Sequence, residues 1–301
     1  MTPLTLGGSA ADIPLTYPDL LDLLESRPQP ALTWYGTPAA GAESERVELS
    51  GRVLQNWAVK LIGLFSQESE LEPGDTVLVD AQAHWKVAAV VLAAGALEWK
   101  VVLTASRSAA PGSSASGHTD DDDRRAAAAA ASAALIVTDR PGDWTGSGAL
   151  AESLGDAELA ALSPGLLDAS FEEATGEKLP AWVLDISADV RQHPDQLPAP
   201  LPPVQLATAD LTTGSAGAQG GAGASSARGG LVLAGAAPKV AWQDWRLARW
   251  DGAEASTGPG VVVIAAMLDA WARNQPVVLF QGDPAAHPEA WEQLLRNEGV
   301  R

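Results

Sequence analysis

The amino-acid sequence predicts an α/β fold in which a mainly parallel sheet is flanked by helices. A short β-branched run at 76–80 is followed by an almost wholly apolar helical segment at 86–97 and by a second apolar run at 101–104. Strand, helix and strand in this order make a βαβ unit, which crosses over with a right hand. The runs are apolar without alternation, which is typical of parallel strands buried on both faces. A third such run at 135–138 is expected to join the same sheet.

Two helices are predicted before this unit. Residues 17–27 place four leucines in a short helix, and the proline and glycine residues of 28–41 end it. Ser50 is a suitable N-cap for an amphipathic helix from about Gly51 to Gln67, where large apolar residues recur at helical spacing.

A polar segment follows the βαβ unit. Residues 105–123 have the serine, glycine, proline and aspartate content of a flexible insertion, and the run Asp120–Asp123 is expected to be a solvated loop. The sequence then predicts a poly-alanine helix at 124–134 and a strand at 135–138. A helix at 148–163, a strand at 181–187 and an extended connector at 194–203 are expected to follow.

The last third of the chain resumes the alternation. A strand is predicted at 231–235, a helix followed by a strand within 260–280, and an amphipathic helix at 288–301. Between them lies a group of tryptophan and arginine side chains: Trp242, Trp245, Arg246, Arg249 and Trp250. Such a group either holds a ligand ring by stacking or, more often, forms half-buried packing with arginine stems lying across it.

Composition and charge narrow the classes of function. The 301 residues carry a formal net charge of −19, and the 19 Lys and Arg residues form no patch, so nucleic acid is not expected as a partner. There is no cysteine and the four histidines are far apart, so no metal site is predicted. No apolar run is long enough for a membrane span and the N-terminus has no leader pattern, so we expect a cytoplasmic protein without a membrane partner. The chain is interpreted as one domain, 1–301, with flexible insertions at about 105–123 and 212–229.

The glycine-rich stretch 211–230 is the strongest candidate for a nucleotide site. Backbone N–H groups in such a stretch can converge on a phosphate. The pattern G-x-x-x-x-G-K-[ST] is absent, however, and no lysine occurs between Lys178 and Lys239. The dinucleotide pattern G-x-G-x-x-G also fails, because Ser226 stands where its last glycine is required. Composition alone therefore favours a flexible linker.

Three segments outside this stretch form an ordered set of motifs: ELSGRVLQNWAVKLIGLF, LEPGDTVLVDAQAHWKVAAVVLAAGALEWKVVLT and ALIVTD. Together they resemble the opening of the adenylate-forming superfamily, which includes acyl-CoA synthetases, luciferases and the adenylation domains of nonribosomal peptide synthetases. In that family a helix beginning T-Y-x-E-L is followed by L-x-P-G-D-x-V, an apolar helix ending A-G-A, and a strand. The matching positions are 73–75 and 94–96. In length the chain is similar to short actinobacterial AMP-dependent-synthetase-like proteins.

The resemblance changes the interpretation of the glycine-rich stretch, because family members carry a phosphate loop of roughly [YF]-T-S-G-[ST]-T-G-x-P-K-G further along. Aligned with that loop, the chain has these nucleotide-binding candidates: Thr212, Thr213, Gly214, Ser215 and Gly217. Ala216 and Gln219 replace a hydroxyl residue and the proline, and Gly220 stands at the position of the lysine. The resemblance implies ATP or AMP with Mg²⁺ as the cofactor if the loop is used, and no catalytic residue is assigned.

The resemblance covers residues 17–301, which correspond to the first part of the family's large domain. The later adenylate-binding motifs and the small C-terminal domain with its catalytic lysine have no counterpart. The resemblance, with these parts missing and the loop lysine replaced, implies a degenerate, non-catalytic protein that acts in binding or interaction. The alternative is an AMP-forming ligase that activates a small carboxylic acid as an acyl-adenylate, alone or with a complementing subunit.

Two further hypotheses complete the set. An unrelated α/β protein would be indicated by antiparallel pairing of the strands at 76–80, 101–104 and 135–138. A homodimer is expected because an incomplete domain exposes apolar surface, for which the tryptophan-rich segment 242–250 is the candidate.

Overall fold

The secondary structure alternates between helices and strands along the chain. The computed structural model describes residues 13–36, 45–104, 120–163, 165, 168–197, 199–206, 232–233, 240–242, 248–250, 259–281 and 287–298. The helices in these residues are α1 (Tyr17–Glu25), α2 (Gly51–Glu68), α3 (Trp85–Ala96), α4 (Asp120–Ala130), α5 (Pro141–Thr145), α6 (Ala149–Ser153), α7 (Phe171–Thr175), α8 (Ile186–Asp189), α9 (Pro259–Ala272) and α10 (Pro288–Asn297). The strands are β1 (Pro30–Tyr35), β2 (Arg46–Ser50), β3 (Thr76–Asp80), β4 (Lys100–Leu103), β5 (Leu135–Thr138), β6 (Glu158–Ala161), β7 (Leu184–Asp185), β8 (Val232–Leu233), β9 (Val240–Trp242), β10 (Ala248–Trp250) and β11 (Val277–Phe280).

The predicted parallel sheet is confirmed. Six strands lie in the order β10-β4-β3-β5-β6-β7, and β3 pairs in parallel with both β4 and β5. β6 and β7 continue the parallel arrangement, whereas β10 closes the other edge antiparallel to β4. The antiparallel pairing of these three strands that would contradict the resemblance is therefore not found.

A second sheet of five strands, in the order β2-β1-β11-β9-β8, was not predicted. Its central pairs, β1 with β11 and β11 with β9, are parallel. The segment 28–41 was interpreted only as the end of a helix, but it contains β1, which has Pro30 at its first position. Proline is tolerated there because the first residue of a strand need not donate a ladder hydrogen bond.

The long predicted helices are confirmed. Ser50 caps α2, since its side chain accepts a hydrogen bond from the backbone N–H of Val53 at 3.2 Å. α1, α3, α9 and α10 also form where the apolar spacing places them. Among the described helices, none combines the length and the apolar character needed to cross a membrane.

Three shorter assignments were wrong. Asp120–Asp123 lie in the first turn of α4 rather than in a loop, and aspartate is a favoured residue type near a helix N-terminus. The segment 148–163 contains a helix of five residues and then β6, since pairing with β5 overrides the helical propensity of its Ala, Glu and Leu residues. The strand expected at 181–187 is reduced to β7, because Asp185 accepts hydrogen bonds from the backbone N–H groups of Ser187 and Ala188 and so caps α8.

The six-stranded sheet is buried on both faces. Along β3, Val77 and Val79 pack into the main core with α1, α2, α3 and α9, whereas Leu78 packs into a second cluster with Trp144 and Phe171. Successive side chains of a strand point to opposite faces, so the unbroken apolar run of β3 reflects a core on each side. The main core also includes residues of β1 and β11, and it therefore joins the two sheets.

Candidate functional site

The nucleotide-binding residues predicted from the sequence are Thr212, Thr213, Gly214, Ser215 and Gly217, and all of them lie outside the described residues. So does Gly220. The described chain before them ends beside the start of α1: Thr16 and Gln205 form an antiparallel bridge, and the backbone N–H of Leu206 donates to the carbonyl of Leu15 at 2.8 Å. The tryptophan-rich segment is described only as the backbone of β9 and β10, so the roles weighed for its side chains stay predictions.

Buried polar side chains gather where the parallel strands of the six-stranded sheet end. They are Asp80 in β3, Thr104 after β4, Thr138 in β5, Ser163 after β6 and Ser187 after β7. In open α/β sheets, ligands bind outside the carboxyl ends of the strands. This edge of the sheet is therefore the candidate functional site.

Asp80 is the centre of the first polar cluster at this edge. Its carboxylate is 3% exposed and accepts hydrogen bonds from Arg140 Nε at 2.8 Å and from Arg140 Nη2 at 3.1 Å. Trp144 Nε1 and Thr104 Oγ1 each donate to it at 2.9 Å. Burial acts to lower the pKa of Arg140, but the hydrogen bonds and the charge of Asp80 outweigh this and raise it, so the guanidinium stays charged. The cluster ties together the ends of β3, β4 and β5.

Lys86 is the centre of the second cluster. Its ammonium, on the first turn of α3, donates to Ser163 Oγ at 2.8 Å, to the carbonyl of Ser163 at 2.9 Å and to Ser187 Oγ at 3.3 Å. The nearest carboxylate oxygen, on Asp168, is 3.8 Å away. Burial lowers the pKa of Lys86 to about 8, which the charge of Asp168 only partly opposes. The cluster joins α3 to the segments that follow β6 and β7.

The chemistry of this second cluster is limited by access. A lysine with a pKa near 8 can accept a proton from a serine hydroxyl, and such a pair can act as base and nucleophile. However, Lys86, Ser163 and Ser187 are each only 1% exposed in the described structure. We therefore interpret the cluster as an internal connection that positions the edge of the sheet.

The loop between β3 and α3 brings the two sheets together at this edge. Trp34, from β1, donates its indole N–H to the carbonyl of Ala83 at 2.8 Å. Gln281, directly after β11, donates its amide to the side chain of Gln82. The carboxyl ends of parallel strands from both sheets thus meet at one place, which is also where α3 begins.

Metal ligation is not seen at this edge. Within the residues that the structure describes, no group of three His, Asp or Glu side chains comes together as metal ligands. The polar groups of the edge are instead paired with one another, as the bonds of Asp80 and Lys86 illustrate.

Sequence reasoning assigned none of these edge residues. One signal was present for Lys86, which is a lone charged residue in an apolar helix that is otherwise wholly buried. A second signal was present for Asp80, which ends a buried β-branched strand. No sequence signal links Ser163 or Ser187 to Lys86. The two serines lie 77 and 101 residues away from Lys86 along the chain, so no local pattern shows the contacts.

Comparison with known proteins places this fold. No protein-family model matches the chain. A TIGR03089 family protein of Mycobacterium tuberculosis is 31% identical over 197 residues, which cover 65% of this chain and 63% of that protein. The crystal structure of an acyl-CoA synthetase of Brucella canis superposes on 95% of the chain with a TM-score of 0.58 and 15% sequence identity. This chain has the adenylate-forming fold.

The match is to the N-terminal portion of such enzymes, as the sequence motifs predicted. The chain spans 46% of the Brucella canis acyl-CoA synthetase, which is about half of its length. The unliganded O-succinylbenzoate coenzyme A synthetase of Bacillus subtilis is matched over 95% of this chain and 49% of its own, with a TM-score of 0.49 and 10% identity. The likeness to the Brucella canis structure, at 15% identity, shows the fold and not a substrate.

Proposed function

We propose that this chain is a degenerate adenylate-forming module that binds an adenine nucleotide and does not activate a carboxylic acid by itself. The observation that carries the proposal is the segment T-T-G-S-A-G at 212–217, with Gly220 at the position of the lysine, in a chain that has the adenylate-forming fold. Hydroxyl groups and backbone N–H groups suited to phosphate are retained, whereas the cation is lost.

The loss of the lysine separates binding from catalysis. Hydrogen bonds from a cation to a phosphate are about twice as strong as those between neutral groups. Adenylation transfers the α-phosphate of ATP to a carboxylate, and stabilisation of the developing charge is usually the largest contribution to such catalysis. A loop with donors but without the cation can hold a nucleotide while contributing little to the transition state.

Two measurements test this proposal. Calorimetric and thermal-shift titration with ATP and Mg²⁺ should show binding, with about 2.7 kcal/mol of added stability at a ligand concentration of ~100 times the dissociation constant. Carboxylate-dependent pyrophosphate exchange should stay at background. Exchange above background with the pure protein would overturn the non-catalytic assignment, and an absence of both heat and thermal shift would overturn nucleotide binding.

Substitutions in the glycine-rich stretch test whether the nucleotide binds at the aligned loop. Ser215→Ala should weaken ATP binding roughly tenfold or more, since a hydrogen bond to a charged group contributes about 1.5–3 kcal/mol. Ser226→Ala, a matched change in the same glycine-rich stretch but outside the aligned loop, should leave the affinity unchanged. Gly220→Lys should strengthen binding, because it restores a cation beside the phosphates.

A second candidate is an AMP-forming ligase that activates a small carboxylic acid as an acyl-adenylate with ATP, completed by a partner subunit. The retained hydroxyl core of 212–217 favours it. Pyrophosphate exchange across a panel of small carboxylic acids distinguishes the two candidates, because only the ligase gives an acid-dependent signal.

We also propose a cytoplasmic location and a homodimer, with no nucleic-acid partner. The acidic composition, with a net charge of −19, supports the exclusion of polyanions. The tryptophan-rich segment 242–250 supports self-association, because contiguous exposed apolar surface favours it.

A further inference from the structure

A separate cavity of about 510 Å³ lies at the opposite edge of the six-stranded sheet, where β5, β6 and β7 begin. We call it the edge cavity. Its walls come from the C-terminal turn of α2, from the starts of these strands and from α8 with the turn that follows it. The polar and aromatic side chains that line it and matter here are Glu68, Asp156, Glu158, Trp182, Asp189 and His193.

The edge cavity is lined by carboxylates without a cation. No lysine or arginine is among its lining residues, and none of its four carboxylates forms an ion pair with the described residues. Lys60, which hydrogen bonds to the carbonyl of His193, has its ammonium 2.5 Å from Asp195 outside the cavity. Burial raises the pKa of Asp189, and the like charges of Asp185 and Glu68 add to this, whereas a hydrogen bond from the backbone N–H of Asp185 and the charge of His193 act against it. The cavity therefore combines four carboxylates with no lysine or arginine among its lining residues.

The end of α2 adds partial negative charge to the cavity wall. The last carbonyl groups of a helix carry a partial negative charge, which attracts cations. α2 has 18 residues, has no basic residue in its last turn and ends with Glu68 in the cavity wall.

His193 and Trp182 show that the edge cavity is more than an acidic surface. His193 is 8% exposed, yet its imidazole makes no hydrogen bond to any residue that the structure describes. The ring lies against α2, where a Cβ added to Gly63 would be 3.3 Å from Nδ1. A mostly buried imidazole without a hydrogen-bond partner is suited to bind a ligand or water in the cavity. Trp182 is 58% exposed at the same cavity and presents an aromatic face, which attracts organic cations.

The spacing of the carboxylates distinguishes an extended organic cation from a metal ion. Within the described residues, no three acidic or histidine side chains are close enough to coordinate one ion. Separate carboxylates around a cavity of this volume instead suit a ligand with several positive groups along its length, and the volume is within the ~300–1,000 Å³ of ordinary small-molecule sites.

We propose that the edge cavity binds a small aliphatic polyamine, whose ammonium groups contact Glu68, Asp156 and Asp189 while its chain lies against Trp182. A ring nitrogen of His193 accepts a hydrogen bond from one ammonium group. The edge cavity is on the opposite edge of the sheet from the candidate functional site, and this proposal does not depend on the function proposed above.

Isothermal titration of the full chain with spermidine and with putrescine tests the proposal. Glu68→Gln together with Asp156→Asn should weaken spermidine binding roughly three- to tenfold, from the energy typical of two exposed ion pairs. Trp182→Ala should weaken it about two- to fivefold. Both acids are exposed, so these changes leave the core intact. Glu152→Gln, a matched change at an exposed carboxylate of α6 outside the cavity, should have no effect.

Nuclear magnetic resonance tests whether the ligand binds beside His193. The chain has four histidines, and the His193 imidazole resonances, assigned by their loss in His193→Gln, should shift on addition of spermidine. Equal weakening by every charge variant, the control included, would identify general attraction to an acidic protein and overturn the proposal. Binding of a lysine-rich peptide without binding of spermidine would overturn it as well, since the site would then belong to a protein partner.

Discussion

At the scale of single residues, Lys86 illustrates how an environment changes a side chain. The sequence places it in an apolar helix, and the structure surrounds its ammonium with two serine hydroxyls and one distant carboxylate. Burial disfavours the charged form, so the pKa falls from 10.5 to about 8. The lysine is thus held by neutral hydrogen-bond acceptors rather than by a close ion pair.

A dependence of stability on pH follows from this shift. Between pH 8 and 10.5 the unfolded chain still binds the proton that folded Lys86 releases, so the free energy of unfolding should rise with pH across this window. The rise is up to roughly 3 kcal/mol. Urea unfolding of the wild type and of Lys86→Met across this pH range should show the rise as a difference between the two proteins, since other groups titrate in both. Parallel curves would contradict the lowered pKa.

Asp80 and Arg140 show the opposite arrangement. Their two hydrogen bonds, with Trp144 and Thr104 as further donors, satisfy the buried carboxylate from three directions. Removal of one member of such a pair is strongly destabilising, because it leaves the other charge buried without a partner. These residues therefore maintain the shape of the candidate site rather than contact a ligand.

At the scale of elements, the two motifs that carried the family resemblance have structural roles. In the P-G-D turn, Gly74 has a φ of 95° and the carboxylate of Asp75 accepts the backbone N–H of Glu72 at 2.8 Å. Glycine adopts such a φ without steric cost. In the A-G-A motif, Gly95 allows α3 to approach α1, because a Cβ at this position would be 2.2 Å from the hydroxyl oxygen of Tyr17. The motifs therefore report packing of the fold and not chemistry.

Gly95→Ala tests the second of these roles. Alanine is a better helix former than glycine, but the clash with the buried ring of Tyr17 should outweigh this and lower the free energy of unfolding by about 1–3 kcal/mol. Chemical denaturation measures the change. In a Tyr17→Leu background the same substitution should cost less, and an equal cost in both backgrounds would rule out the contact as the cause.

At the scale of the whole molecule, the two sheets share one core and meet at the loop before α3. The residues that join them are far apart in sequence, as the bond between Trp34 and Ala83 and the bond between Gln82 and Gln281 illustrate. The main core contains side chains from α1 to β11, so segments far apart in the described chain pack together.

Self-association is a prediction at this same scale. Static light scattering at high micromolar protein should give the mass of a dimer, because the tryptophan-rich segment 242–250 is expected to present apolar surface. Trp245→Ala should shift the mass towards the monomer. Trp182→Ala, which changes an exposed tryptophan outside that segment, should leave the dimer intact. A wild type that is monomeric under these conditions would remove the prediction.

The sequence by itself determined the α/β class, the parallel pairing of the strands at 76–80, 101–104 and 135–138, and the long helices. These features depend on local periodicity and on residue type, which a sequence displays directly. Only the tertiary structure decided that Glu158–Ala161 is a strand, that 28–41 begins a second sheet, and that Lys86 meets Ser163 and Ser187. In these cases the decisive contacts join distant segments, and the pairing of strands and the burial of charge override what each segment prefers alone.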